Sequence, residues 1–110
     1  KKKKKAGSSD GLTYVTAQDL AQSTDFQPLT INTGNRSDES CSGYLHLFNP
    51  ASTTFVKHFI ARINNYVSNN YSEDTFTAGH CNTTTAIDGV QFKFSSGNID
   101  SGTITLYGIN

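Results

Sequence analysis

Alternation with a period of two constrains this chain more than any other feature of its sequence. Gly43-Tyr-Leu-His-Leu-Phe48 puts Leu45 and Leu47 on one side of an extended backbone and Tyr44, His46 and Phe48 on the other, which is the pattern of a strand. Thr54 to Asn64 sets Phe55, Phe59, Ala61 and Ile63 against Val56, His58, Ile60 and Arg62. Neither side is wholly polar, so a central strand is predicted there. Val90 to Phe94, with Val90, Phe92 and Phe94 inward, and Thr103 to Ile109, with Ile104 and Leu106 inward, predict two more strands. Gly97 and Gly102 supply the bends between them. Phe26 to Ile31 reads as an edge strand or a strand entry, because Pro28 cannot donate to a ladder. Thr13 to Gln22 reads as a short helix or irregular turn, Asn32 to Ser40 as a polar loop, and Asn65 to Asp74 as a surface connection; Asn49-Pro50 marks a turn.

Composition agrees with this reading. Hydrophobic residues are 35% and charged residues 16% of the chain, Met is absent, and Thr, Ser, Asn and Gly dominate, which suits pleated surface and tight turns better than helices. At 110 residues the chain fits one domain. The expected organisation is a flexible basic lead over residues 1–11 and a single domain over 12–110. The expected fold is all-β, an antiparallel β-sandwich of jelly-roll-like type.

The formal charge of zero hides an asymmetry. Lys1 to Lys5 supply five of the nine basic residues; beyond them four cations less nine anions gives −5. Arg36, Lys57, Arg62 and Lys93 are too few and scattered to neutralise a phosphate backbone, so no nucleic-acid partner is expected. A run of like charges at the start reads as a solvated tail. No apolar stretch approaches the ~20 residues that span a bilayer, so no membrane insertion is expected either.

Catalytic signatures are missing from the sequence. There is no Gly-x-Ser-x-Gly elbow, phosphate loop or dinucleotide fingerprint. The acid pairs Asp38-Glu39 and Glu73-Asp74 are sequence neighbours in predicted loops, where side chains point apart. His46 and His58 fall in predicted strands and His80 in a predicted turn. No zinc-ligand spacing links them to Cys41 or Cys81. The expectation is a chain without enzymatic activity, metal or cofactor. Cys41 and Cys81 are a candidate disulfide or two free thiols. Tyr44, Tyr66 and Tyr71, on outward faces or loops, are candidate contacts for a protein partner or a glycan, since exposed tyrosine anchors interfaces and stacks on sugars.

Three stretches carry a resemblance: Gly43-Tyr-Leu-His-Leu-Phe-Asn-Pro50, then Asn82-Thr-Thr-Thr-Ala-Ile-Asp-Gly-Val90, then FKFSSGNIDSGTITLYGI from Phe92 to Ile109. Together, over roughly residues 40–110, they resemble the C-terminal portion of a β-sandwich domain recurring in structural proteins of tailed phages, especially marine and environmental ones. In that family the ending written SSGNI-SGT-LYGI is close to invariant. The resemblance implies a component of the virion surface with other virion proteins as partners, and a homo-oligomer such as a trimer is expected from the unpaired edges considered below. A capsid decoration protein is the first expectation, and a receptor-binding tail-fibre tip that holds a host-surface glycan is the rival. Two departures stand out. The N-terminal half is shorter than the family's, and Cys41 and Cys81 occupy positions where other residue types are common. A shortened sheet leaves unpaired edges, for which pairing with another chain is the natural remedy.

Overall fold

The computed structural model describes residues 2–6 and 11–109. The fold is all-β, with five strands in one antiparallel sheet: β1 (Lys2–Ala6), β2 (Gly11–Tyr14), β3 (Cys41–Leu47), β4 (Lys57–Val67) and β5 (Tyr71–Cys81), in the order β2-β1-β5-β4-β3. The long hairpin β4–β5 is its spine. The two strands pair without interruption from Lys57 opposite Cys81 to Val67 opposite Tyr71. Its turn follows from sequence: Asn70 takes a left-handed φ of 58°, its N–H reaches the Val67 carbonyl at 2.9 Å, and asparagine tolerates that conformation where most residues do not.

The predicted strand at Gly43–Phe48 is present as β3, with Leu45 and Leu47 half-buried and Tyr44 and His46 exposed. The predicted central strand is present as β4, between β3 and β5. Thr16–Gln18 forms one 3-10 turn inside the stretch read as a short helix or turn.

Other expectations are corrected. Asn65 to Asp74 is not a surface loop: β4 runs on to Val67 and β5 starts at Tyr71. His80 lies in β5 and not in a turn. The lead is partly in the sheet, with Lys2–Ala6 hydrogen-bonded between β5 and β2, because β5 offers an edge for it; residues 1 and 7–10 lie outside the described residues. Phe26–Ile31 is irregular; only Thr33, just beyond it, forms an isolated bridge, to Val67. Val90–Phe94 and Thr103–Ile109 have strand patterning but join no ladder among the described residues, and Val90, Phe92, Phe94, Ile104 and Leu106, expected inward, are exposed. Gly97 and Gly102 do turn the chain between them, at φ of 73° and 142°.

One face of the sheet is covered and the other is open. The covered face holds the odd-numbered residues of β4 and β5, and much of what it buries is polar: Lys57, Asn65, Glu73, Thr75 and Thr77, beside Ala61 and Val67. Those polar groups recruit the chain that crosses them. Asn65 accepts a hydrogen bond from Thr30 at 2.7 Å and donates to the Ile31 carbonyl at 3.1 Å, while Asn32 donates to Glu73 at 3.4 Å. At the far end Lys57 donates to the carbonyls of Ser52 and Thr83, and Ile87 N–H reaches the Pro50 carbonyl. The second layer is therefore irregular chain and not a second sheet.

Candidate functional site

The open face collects the even-numbered residues of β3, β4 and β5 together with Leu12 and Tyr14 of β2. Leu12, Tyr44, Ile60 and Phe76 are all exposed there and, with Arg62 and Ala78, line a shallow depression of about 580 Å³. Along the β3 border the rings of Tyr44 and His46 stand 5.1 Å apart and those of His46 and Phe48 6.2 Å apart, because every second residue of a strand shares a face. His58 and His80 pair across β4 and β5 with rings 6.1 Å apart.

Arg62 and Asp74 neutralise one another on this face. Arg62 donates from Nε at 3.0 Å and from Nη2 at 2.6 Å to Asp74 Oδ2, and its guanidinium lies 4.8 Å from the Phe76 ring centroid. Hydrogen bonding to Asp74, and then its charge, push the Arg62 pKa above the ordinary arginine value. The pair thus offers planar guanidinium and aromatic surface to a neighbour. Such a surface suits packing against protein or stacking on a ring.

The three candidate tyrosines do not converge. Tyr44 is exposed on the open face. Tyr66 shares that face but is half-buried at the hairpin end, its hydroxyl donating to Asn70 Oδ1 at 3.4 Å. Tyr71, by its register opposite Val67, lies on the covered face. Glu73 and Asp74 point to opposite faces. Cys41 pairs in register with Asn65 and Cys81 with Lys57, eight positions apart on β4, or about 26 Å at ~3.3 Å per residue. Both are free and exposed, so the disulfide reading is corrected: bridging needs Cα atoms within ~7 Å. Among the described residues no cluster of three or more His, Cys, Asp or Glu side chains is placed to hold a metal ion.

The second feature of the surface is the chain after Cys81. Ile87 is half-buried, but the apolar residues from Val90 onward are exposed, with Leu106 94%, Ile109 87% and Tyr107 79% in solvent. Sequence reasoning found Tyr44, but it placed the apolar residues of this segment inward in strands. It missed the rest of the open face, since Phe76 and Leu12 sit on strands that no apolar alternation announces.

No family model, curated protein or solved structure matches this chain.

Proposed function

We propose that this chain is a structural module of a virion exterior, working by self-association and by docking on other particle proteins, without catalysis. The virion part of the reading rests on the resemblance of residues 40–110 to the tailed-phage domain. The self-association part rests on one observation, the amount of surface the fold leaves open. The chain exposes 8384 Å², whereas a compact monomer of 11.9 kDa exposes about 6,000 Å². Its radius of gyration is 15.1 Å, against about 13 Å for a compact domain of this length. The excess, about 2,400 Å², compares with about 800 Å² that each partner contributes to a standard interface. A protomer that shares surface with more than one neighbour accounts for it, and a ring such as a trimer gives each copy two neighbours. In this reading the sandwich is completed between copies, with the open sheet face of one protomer covered by another.

The rival reading, a fibre tip that stacks a host glycan on its tyrosines, has less support, because Tyr44, Tyr66 and Tyr71 fall at separate places on the sheet. Native mass spectrometry of the full chain at micromolar concentration, followed by saturable binding to capsids stripped of surface proteins, tests the proposal. A defined oligomer that attaches stoichiometrically is the expected result. A monomer at all concentrations, or a monomer that binds sugars on a glycan array, would overturn it.

A further inference from the structure

The sheet has one unguarded edge. β3 borders only β4, and the parity of its hydrogen bonds fixes which groups are left over. Phe48 N–H bonds the His58 carbonyl and Tyr66 N–H the Ser40 carbonyl, so even-numbered residues of β3 and β4 face one another. The N–H and C=O groups of Cys41, Gly43, Leu45 and Leu47 therefore point outward, and among the described residues no backbone group meets them. Natural edges are usually blocked by lysine, proline, a bulge or a very short strand. β3 has none of these over its seven residues. The opposite edge, β2, has only four.

The same chain carries a segment that matches this edge. Thr103 to Ile109 is seven residues long, alternates, lacks charge and proline, and has its apolar side chains in solvent. We propose that Thr103–Ile109 of one copy adds to the β3 edge of a second copy as a sixth, antiparallel strand. Aligning seven residues on seven puts Ile109 opposite Cys41, Tyr107 opposite Gly43 and Thr103 opposite Leu47. Ile104 and Leu106 then lie beside His46 and Tyr44 and extend the apolar open face by one strand. Tyr107 falls across from Gly43, where an aromatic ring covers the gap left by a residue without a side chain. Backbone ladder bonds provide the attachment and alternate side chains the register, as in other strand-addition complexes.

This inference rests on the self-association reading and sharpens it, and the native thiol at Cys41 allows the two to be tested apart. In a Cys81→Ser background, Ile109→Cys places a thiol opposite Cys41 in a hydrogen-bonded pair, where Cα atoms lie about 5.5 Å apart, within bridging distance. Thr103→Cys places it six positions away, about 20 Å at ~3.3 Å per residue. Mild oxidation of the full-length oligomer should yield interchain disulfides between Cys41 and position 109, identified by peptide mass, at least tenfold above those from position 103 and above the Cys81→Ser baseline. Preferential linkage from position 103, linkage within one chain, or no linkage in a protein that native mass spectrometry shows to be oligomeric would each overturn the strand addition and leave self-association standing. A chain that is monomeric by mass would remove both.

Discussion

Thr75 tests how the covered face is built. Its side chain is 2% exposed, it stands on β5 opposite Ile63, and its hydroxyl has no hydrogen-bond partner. A hydroxyl taken out of water without a partner costs about 1–3 kcal/mol on mutational scales. Thr75→Val keeps the branched shape and the strand preference and replaces the hydroxyl by a methyl group, itself worth up to ~0.8 kcal/mol when buried. The crowding that any misfit methyl introduces works against part of this. The expected net gain is about 1–2 kcal/mol, or a midpoint rise of about 5–10 °C for a domain of this size. Thr75→Ser, which keeps the hydroxyl and removes the methyl, should instead lose about 1 kcal/mol. Urea titrations followed by circular dichroism at one fixed protein concentration measure both, with an unchanged slope as the check that only stability moved. A loss of 1 kcal/mol or more for Thr75→Val would mean that the hydroxyl is satisfied and that the covered face is a connected polar network.

Three further outcomes are expected. Gly43→Ala would place a Cβ 2.1 Å from the Arg62 carbonyl oxygen, which is backbone and cannot swing away, so β3 must shift at a cost of about 1–3 kcal/mol; Gly79→Ala, whose Cβ meets the Phe59 ring at 3.0 Å, should cost less in the same titration. Lys57→Met keeps the buried stem but leaves the Ser52 and Thr83 carbonyls without their donor, and a loss of about 1–3 kcal/mol is expected, with faster amide exchange in both connections. Tyr14 donates to Asp19 at 2.6 Å, and that hydrogen bond, with the carboxylate charge second, raises the phenol above its ordinary 10.0. Because the folded value is the raised one, the link is intact below pH 10 and is lost as pH climbs through the raised value. Ultraviolet titration should show a late phenolate transition for Tyr14 that Asp19→Asn brings down in pH.

The fold was legible where apolar residues mark a face and illegible where polar ones do. β3 and β4 announce themselves because Leu45 and Leu47, or Phe59, Ala61 and Ile63, fall on one side. β5 is as long as β4, yet its inward positions are Glu73, Thr75 and Thr77, which read as loop until their register with β4 is seen. The tail shows the converse error. Thr103–Ile109 alternates like β3, but alternation reports a capacity to pair, and a ladder also needs an edge within reach.

The same contrast explains why only part of the candidate site could be foreseen. Tyr44 is identifiable from its own strand. Its neighbours Ile60, Arg62, Phe76 and Leu12 become one surface only through the order β2-β1-β5-β4-β3, which sequence spacing does not contain. That order produces a partial inversion: Lys57, Asn65, Glu73, Thr75 and Thr77 are inside beside Ala61 and Val67, while Leu12, Tyr44, Ile60 and Phe76 are outside. In a monomer the inversion gives up hydrophobic burial on the open face and adds desolvation on the covered one. In the proposed assembly, the open face and the apolar segment after Cys81 would form the interior, and the polar covered face would need only to hold its own crossing chain in place. The two features that look like defects in an isolated protomer, an unguarded β3 edge and an apolar segment without a ladder, would under that proposal be complementary halves of one contact.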